Sequence, residues 1–213
     1  MKKYRNYIFD FDGTLAHTSP EILYCLKQAF GQSGIIIDDS ELSDRLIGPT
    51  MAQIIEMLRP ELPAEKTTEV GKNFRNIYDN SSAGLTKPYP NIMDKLISLK
   101  NDGCRLFIAT NKAKKAVFRL VRELDMDFFD DIYAVDRYEK PSSKTELVSF
   151  CVSEHSLDRN ETIMVGDNPG DIKAGNSCGI DTTAVLWGYA SDEAREKMRS
   201  EATCSINSIT ELP

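Results

Sequence analysis

Two carboxylates, Asp10 and Asp12, directly follow a short apolar run in the stretch "NYIFDFDGTL". Two more, Asp167 and Asp171, follow another apolar run in "VGDNPGDIKAG". Ligands of open parallel sheets bind beyond the carboxyl ends of the strands, so the four acids would share one crevice if these strands were neighbours. Crowded carboxylates raise one another's pKa values unless a cation compensates, and Mg²⁺ is a hard cation that prefers oxygen ligands. The sequence therefore predicts a Mg²⁺ site at the edge of a sheet.

Groups that could hold a phosphate follow two other apolar runs. Thr110 and Asn111 come at the end of "CRLFIATN", and a hydroxyl, an amide and the N–H groups of a helix start suit phosphate oxygens. The segment "YEKPSSK" supplies Lys140 and Lys144, and a lysine here could neutralise both a carboxylate and a transferring phosphoryl group. Because the chain carries a net charge of −7, an anionic substrate would need such a local positive charge. We therefore expect a small phosphorylated metabolite as the ligand.

The composition argues against several other classes of protein. A net charge of −7 argues against nucleic-acid binding driven by phosphate neutralisation. The five cysteines are scattered and form no CxxC pair, so neither a zinc site nor a disulfide framework is indicated. No apolar stretch approaches the roughly 20 residues of a membrane span, and the first residues do not resemble a signal peptide. We expect a cytoplasmic protein without a membrane partner, and the sequence leaves its oligomeric state open.

The elements that must position these residues alternate along most of the chain. Short apolar runs predict five strands, at 7–10, 104–110, 131–135, 162–167 and 182–187. Amphipathic patterns predict helices near 91–103, 112–124, 143–154, 169–177 and 191–199. Continuous apolarity is typical of strands that are covered on both faces, as in a parallel sheet. The alternation therefore predicts an α/β fold with a Rossmann-like parallel sheet.

One long segment interrupts this alternation. Residues 19 to about 82 contain three helical stripes of apolar residues, and "GIIID" at 34–38 is their only strand candidate. An all-helical block of this size is too large for a simple crossover between strands. We therefore predict an α/β core of residues 1–16 and 84–213 with an inserted helical domain of residues 17–83.

Taken in order, "DFDGT", the threonine of "ATNK", a lysine and "GDNPGD" resemble the four motifs of the haloacid-dehalogenase-like hydrolases. The resemblance covers essentially the whole chain, and the helical segment matches the cap domain of that superfamily. The stretches "DFDGTL", "YPNI", "ATNK" and "VGDNPGDIKAG" are most similar to the phosphoglycolate-phosphatase-like branch. The resemblance implies a Rossmann-like core with an inserted all-helical cap, and Mg²⁺ as the cofactor.

The resemblance also implies a role for each motif residue. Asp10 would be the nucleophile that forms an aspartyl-phosphate. Asp12 would protonate the leaving group and then deprotonate the attacking water. Thr110 and a lysine would hold the phosphoryl oxygens. Mg²⁺ would be bound by Asp10, the backbone carbonyl of Asp12 and Asp167, with Asp171 completing the site behind them.

Two lysines compete for the third motif. Lys140, in "KP", matches the commonest form of the motif in the family. Lys144, in "SSKTELV", matches another form in which the lysine opens the following helix. Lys144 is favoured because it leads directly into the apolar stripe of that helix, and Lys140 remains the alternative.

Four further residues are candidates for substrate binding. Gly13 and Asn111 adjoin the first two motifs. His17 stands where the family usually has an aspartate, and it either lines the entrance to the site or is a partly exposed hinge residue. Gly48, in "GPT" between two predicted helices, resembles the cap loop that covers substrate in related enzymes, although an ordinary interhelical turn has the same composition.

The resemblance implies a Mg²⁺-dependent phosphatase that hydrolyses a small phosphomonoester. Phosphoglycolate-like compounds and nucleoside monophosphates are the leading substrate classes. The alternative is a phosphomutase of the same family, similar to β-phosphoglucomutase, which would return the phosphoryl group to a sugar. A dehalogenase lacks the second acid of "DFD", so Asp12 argues against that class. A non-catalytic module would be expected to lose Asp10.

Overall fold

The computed structural model describes residues 4–213. Its strands are β1 (Asn6–Phe9), β2 (Ala16–His17), β3 (Lys87–Pro88), β4 (Arg105–Thr110), β5 (Asp131–Ala134), β6 (Thr162–Gly166), β7 (Asp181–Val185) and β8 (Cys204–Ile206). Its α-helices are α1 (Ser19–Gln32), α2 (Met51–Leu58), α3 (Ala64–Asp79), α4 (Ile92–Asn101), α5 (Lys114–Glu123), α6 (Lys144–Glu154), α7 (Pro169–Ser177) and α8 (Asp192–Glu201). Within the described range, no helix is both long enough and apolar enough to cross a membrane.

The chain divides into two compact units. We call residues 4–17 with Lys87–Pro213 the sheet unit, and Thr18–Thr86 the helical unit. The sheet unit is built on six parallel strands in the order β5-β4-β1-β6-β7-β8. β1 lies between β4 and β6, and all four of its residues are buried. The predicted α/β fold with a parallel sheet is confirmed.

The structure adds strands that the sequence did not predict. β8 pairs in parallel with β7, but only Ile206 of its three residues is buried, so it forms no apolar run. β2 and β3 form a two-residue antiparallel ladder in which Ala16 pairs with Pro88 and His17 with Lys87. Elements this short carry too few residues to show a periodic pattern.

The direction of the connections creates a crevice beside β1. From β1 the chain continues to β4 and then β5 on one side of the sheet, whereas from β6 it continues to β7 and β8 on the other side. The segments that leave β1 and β6 therefore diverge, and sheets of this kind bind ligands where such segments diverge. The acids predicted to form a site follow these two strands.

Side-chain caps fix where α6 and α7 begin. Ser143 and Glu146 exchange hydrogen bonds between side chain and backbone at the start of α6. Asn168 and Asp171 form the corresponding pair at the start of α7. A cap of this type stabilises a helix by about 1 kcal/mol. The caps place Lys144 and Asp171 in the first turns of their helices.

The helical unit has an apolar core of its own. Buried residues from all three predicted stripes pack together, and they include Leu26 and Phe30 of α1, Ile54 and Ile55 of α2, and Val70 of α3. Amphipathic helices are stabilised mainly by packing of this kind. The predicted helical character of this segment is confirmed.

The strand candidate at 34–38 does not form a strand in the described structure. Gly34 turns the chain after α1 with φ of +76°. Ile37 is then buried in the core of the helical unit, whereas Ile36 is 88% exposed. Burial thus alternates as in a strand, but no neighbouring strand supplies a hydrogen-bonded ladder.

A buried carboxylate joins the two ends of the helical unit. Glu21, in the first turn of α1, is fully buried and accepts hydrogen bonds from the backbone N–H and the hydroxyl of Thr86, at 3.1 and 2.8 Å. A buried acceptor needs such partners, because it has lost its contacts with water. The contact holds the last residue of the unit beside its first helical turn.

Candidate active site

Three of the four predicted acids meet at the carboxyl ends of β1 and β6. Asp10, Asp167 and Asp171 each offer a carboxylate oxygen, and these oxygens all lie within 4.8 Å of one another. The backbone N–H of Asp10 donates to the carbonyl oxygen of Val165 at 2.9 Å, so the two strands end side by side. All three acids are buried. We call them the acid cluster.

Lys144 is the cation of the acid cluster. Its Nζ lies 2.6 Å from Oδ1 of Asp10 and 2.9 Å from Oδ1 of Asp171. The same ammonium donates to the carbonyl oxygen of Ala109 at 3.0 Å. Lys140 is exposed, so the structure brings Lys144 rather than Lys140 to the acids. The cap at Ser143 accounts for this placement, because it makes the lysine the first residue of α6.

The charges of the acid cluster fit a divalent cation. Three carboxylates and one ammonium leave two excess negative charges in a site that excludes most solvent. Unpaired buried charge is costly, and carboxylate oxygens are the ligands that Mg²⁺ prefers. Asp10 and Asp167 would hold the ion, with Asp171 beside them. The side chain of Asp12 is not part of the cluster, and its backbone-carbonyl contact to the metal stays a prediction.

Burial shifts the titration of these groups. It raises the pKa of the Asp10 carboxyl to about 7, a shift that the Lys144 ammonium opposes and the Asp171 carboxylate increases. Burial also raises the pKa of Asp167 well above its usual range, and the neighbouring carboxylates add to that shift. Burial alone would lower the pKa of Lys144, but the two carboxylates that it contacts outweigh burial and raise it. Without a metal, Asp10 and Asp167 therefore resist ionisation while the lysine stays charged.

We expect the metal-free protein to lose stability as the pH rises from about 5.5 to about 8. The Asp10 carboxyl, with a pKa of about 7 when folded against a usual 3.8, binds its proton more tightly in the folded chain. Its stabilising contribution is therefore complete below about pH 4 and is lost as the pH rises through about 7. Urea denaturation in EDTA should show the free energy of unfolding falling by about 2 kcal/mol over this range.

Added Mg²⁺ should restore more stability at about pH 8 than at about pH 5.5, because protons compete with the metal for the same carboxylates. Asp167→Asn is the matched variant, since it removes one of the titrating acids and should flatten the pH dependence. A free energy of unfolding that is constant or rises with pH in EDTA would contradict the raised pKa values.

Asp12 forms an ion pair outside the acid cluster. Nζ of Lys112 lies 2.9 Å from Oδ1 of Asp12, and the two side chains are 4% and 21% exposed. The backbone N–H of Lys112 donates to the hydroxyl of Thr110 at 3.1 Å, and Thr110 is buried at the end of β4. Asn111, between them, is exposed. The loop after β4 thus combines one predicted site residue, Thr110, with a buried lysine that was not predicted.

Donors from two loops hold both carboxylate oxygens of Asp167. The hydroxyl of Thr14 donates to Oδ1 at 3.2 Å, and the backbone N–H of Tyr189 donates to Oδ2 at 2.8 Å. Two glycines permit this close approach, because a Cβ on Gly13 or Gly188 would lie 2.3 or 2.2 Å from Oδ2. Gly13 also has φ of +79°, a conformation that favours glycine. Gly13, predicted to contact substrate, is therefore placed against Asp167.

Gly188→Ala is expected to reduce kcat/KM by about 10²-fold, because a displacement of about 1 Å at a reacting centre has an effect of this size. The new methyl group would lie 2.2 Å from Oδ2 of Asp167, so the carboxylate or the loop must move. Steady-state kinetics at several Mg²⁺ concentrations would measure the loss. Gly31→Ala is the control, since nothing lies within 4 Å of its Cβ. Kinetics of Gly188→Ala that match this control would show that the loop does not constrain Asp167.

His17 and Gly48 lie in different units. His17, in β2, is partly buried; its Nδ1 lies 3.0 Å from the hydroxyl of Tyr189, and its ring packs at 5.7 Å from that of Tyr89. Gly48 belongs to the helical unit, where it is exposed and has φ of +103°. A contact of either residue with substrate stays a prediction.

Sequence reasoning missed two contributors to the site. Lys112 stands in the "ATNK" stretch, but its ammonium is brought to Asp12 only by the pairing of β1 with β4. The segment "WGY", Trp187 to Tyr189, follows β7 and covers Asp167. A glycine between two aromatic residues at a strand end was the available signal, since glycine often marks a close approach of backbone to another group.

Comparisons with known proteins agree with this geometry. The sequence model of the family described as haloacid dehalogenase-like hydrolase matches residues 7–185. The phosphoglycolate phosphatase of Aquifex aeolicus is 29% identical over 188 residues, which are 87% of this chain and 86% of that protein. The tyrosine-protein kinase PtkA of Mycobacterium tuberculosis is 26% identical over 206 residues, or 96% of this chain and 70% of that protein. A crystal structure of a candidate phosphatase from Clostridium difficile matches with a TM-score of 0.88 and 27% identity, covering 99% of this chain and 97% of the other.

The family match extends from β1 to β7 and includes the whole helical unit, so it accounts for most of the chain. Fold, acid cluster and sequence comparison lead to the same assignment. The chain therefore belongs to the haloacid dehalogenase-like hydrolases, and within them it is a phosphatase, that is, a phosphoric monoester hydrolase.

Proposed function

We propose that the protein uses Mg²⁺ to hydrolyse a small phosphomonoester by transferring the phosphoryl group first to Asp10 and then to water. One observation carries the proposal: the ammonium of Lys144 lies 2.6 Å from Asp10 and 2.9 Å from Asp171, beside the third acid of the cluster. A nucleophile, a cation and a set of oxygen ligands thus converge where a sheet of this kind binds its ligand. Bound Mg²⁺ would offset the charge of the acids and polarise the phosphoryl oxygens.

Asp10 acts as the nucleophile in the first step of this proposal. Lys144 holds its Oδ1 and so fixes the orientation of the carboxylate. A carboxylate oxygen of Asp10 bonds to phosphorus as the bond between phosphorus and the leaving oxygen breaks. Asp12 gives a proton to that leaving oxygen. The step releases an alcohol and leaves an aspartyl-phosphate on Asp10.

Water completes the cycle in the second step. Asp12, now a carboxylate, takes a proton from a water molecule whose oxygen bonds to phosphorus. The bond between phosphorus and Asp10 breaks, so inorganic phosphate leaves and both acids regain their starting states. Thr110 and Lys144 hold the phosphoryl oxygens throughout, and their fixed positions favour the charge that spreads over these oxygens.

The proposed substrates are phosphoglycolate-like compounds and nucleoside monophosphates. The relative from Aquifex aeolicus is named for the first of these classes. The helical unit is proposed to serve as the cap that selects the leaving group, with Gly48 and His17 as contributing residues. The five cysteines all carry free thiols, which suit a reducing compartment, and we extend the proposal to a cytoplasmic location.

Phosphate release from a panel of phosphorylated metabolites, with Mg²⁺ and with EDTA, tests the proposal. At least one small phosphomonoester should be hydrolysed with kcat/KM of about 10⁴ M⁻¹s⁻¹ or more. EDTA should lower that value by at least about 10²-fold, and added Mg²⁺ should restore it. Full activity in EDTA would contradict the metal requirement. Transfer of phosphate from ATP to tyrosine, without hydrolysis of any member of the panel, would contradict the phosphatase assignment.

The alternative, a phosphomutase, retains Asp10 and Asp12 and differs in its acceptor. A hexose phosphate in the same panel separates the two activities by product. Inorganic phosphate as the main product would support the phosphatase. An isomerised hexose phosphate as the main product would show that the protein is a phosphomutase instead.

A further inference from the structure

One oxygen of the Asp12 carboxylate, Oδ1, is buried. Oδ1 is shielded from solvent and faces the ammonium of Lys112 at 2.9 Å, in an ion pair that lacks the alignment of a strong hydrogen bond. The Asp12 side chain as a whole is nevertheless 21% exposed. The exposed part of this side chain therefore does not include Oδ1, which leaves Oδ2 as the carboxylate oxygen for an entering molecule.

The lysine that seals Oδ1 is itself buried. Its side chain is only 4% exposed, whereas Lys114 and Lys115, which follow in the same segment, are exposed. Removing an ammonium and a carboxylate from water costs free energy that their attraction recovers only with favourable geometry, so a buried ion pair is weak evidence for a role in stability. The backbone N–H of Lys112 also donates to the hydroxyl of Thr110. Lys112 thus contacts both Asp12, the proposed acid–base residue, and Thr110, which is proposed to hold the phosphoryl oxygens.

Resting on the proposed function, the geometry points to Lys112 as the positioning residue of Asp12: its ammonium anchors Oδ1, so that Oδ2 alone exchanges protons with the leaving group and with water. Neither the motif analysis nor the family match gives Lys112 a role. Its contact is with another side chain rather than with the reacting atoms, so it acts through Asp12.

Both proton transfers then use the same oxygen. In the first step, Oδ2–H of Asp12 gives its proton to the leaving oxygen as the bond from that oxygen to phosphorus breaks and Asp10 bonds to phosphorus. In the second step, Oδ2 takes a proton from water as the water oxygen bonds to phosphorus and the bond to Asp10 breaks. If the Asp12 carboxyl group were free to rotate, Oδ1 rather than Oδ2 would face the leaving oxygen part of the time. Fixing its orientation removes this entropic cost from the activation barrier.

The test compares Lys112→Met with the wild type on two substrates. An alkyl phosphate from the hydrolysed panel has a leaving group that needs a proton, whereas p-nitrophenyl phosphate does not need one. We expect kcat on the alkyl phosphate to fall by about 10²-fold, the usual share of a general acid, with KM changed less than about 3-fold. On p-nitrophenyl phosphate, phosphorylation of Asp10 should stay within about 3-fold of wild type, while water attack slows by about 10²-fold. Rapid-quench kinetics should therefore show phosphoenzyme accumulating only in the variant.

Two further variants separate positioning from a general structural effect. Lys112→Arg keeps the positive charge, so its kcat on the alkyl phosphate should recover to at least about a tenth of the wild-type value. Lys197→Met, on the exposed face of α8, should behave as wild type. In an Asp12→Asn background, Lys112→Met should change kcat by less than about 2-fold, because the two residues act as one unit. If Lys112→Met does not fold, Lys112→Gln takes its place in every comparison.

Three results would overturn the inference. They are unchanged kinetics of Lys112→Met, an equal loss in phosphorylation and in water attack on p-nitrophenyl phosphate, and a full additional loss in the Asp12→Asn background. Each of these presupposes an active wild type. A wild type that releases no phosphate from any substrate would instead count against the proposed function, so the two failures are distinguishable.

Discussion

Asp10→Asn is expected to lower kcat on every phosphomonoester by at least about 10⁴-fold, since removal of a nucleophile has effects of this size. An amide cannot form the bond to phosphorus, so the covalent intermediate should disappear with the activity. Steady-state phosphate release measures the first effect. Mass spectrometry of acid-quenched protein, mixed with substrate just before quenching, measures the second.

Asp10→Asn also removes one of three crowded acids, so we expect the variant to fold as the wild type does. Asp10 accepts from Lys144, but Asp171 remains as a partner for that ammonium. We expect the metal-free variant to be at least as stable as wild type at about pH 8, because one buried charge has gone. Circular dichroism and urea denaturation provide this control. Hydrolysis of p-nitrophenyl phosphate at the wild-type rate would show that Asp10 is not the nucleophile.

Lys144→Met should affect both activity and stability. Its ammonium is the cation of the acid cluster, and without it three buried carboxylates face one another alone. We expect kcat/KM to fall by about 10³-fold, as when a charge-stabilising donor is lost. In EDTA at about pH 8, the free energy of unfolding should fall by about 3 kcal/mol, because removing one partner leaves buried charge uncompensated. The stability loss should shrink at about pH 5.5, where Asp10 and Asp167 can take up protons.

Lys140→Met is the matched control for this prediction. Lys140 lies four residues earlier in the same connection but is exposed. Its replacement should change kcat/KM by less than about 2-fold and stability by less than about 0.5 kcal/mol, as for other surface positions. A large loss in Lys140→Met with little effect of Lys144→Met would reverse the choice between the two lysines.

The strands and the acids at their ends could be predicted from local patterns, and the resemblance to the hydrolase family implied that the ends of β1 and β6 meet. The strands β1 and β6 are continuous apolar runs that end directly before acids, and parallel pairing brings such ends together. The first turn of α6 was also predictable, since an apolar stripe and a serine cap fix where that helix starts. Lys144 follows from this start, whereas Lys140 lies outside it.

Residues that act through long-range contacts could not be predicted in the same way. The sequence shows a lysine after Thr110, but its pairing with Asp12 depends on the register between β1 and β4. Gly188 and Tyr189 contact Asp167 only because β7 lies beside β6. One sequence does not state which strand ends are neighbours, so the residues that complete the surroundings of each acid became visible only in three dimensions.

The antiparallel ladder of β2 and β3 has a consequence for how this protein can diversify. It pairs Ala16 with Pro88 and His17 with Lys87, so the chain leaves the sheet unit and returns to it at adjacent points. The free-energy cost of closing a loop between such points grows slowly, by about 0.6 kcal/mol for each doubling of its length. Insertions or deletions in the helical unit between these points would therefore add little to the cost of closing the chain. If the helical unit selects the substrate, as proposed, recognition could change in this way while the residues of the acid cluster stay in place.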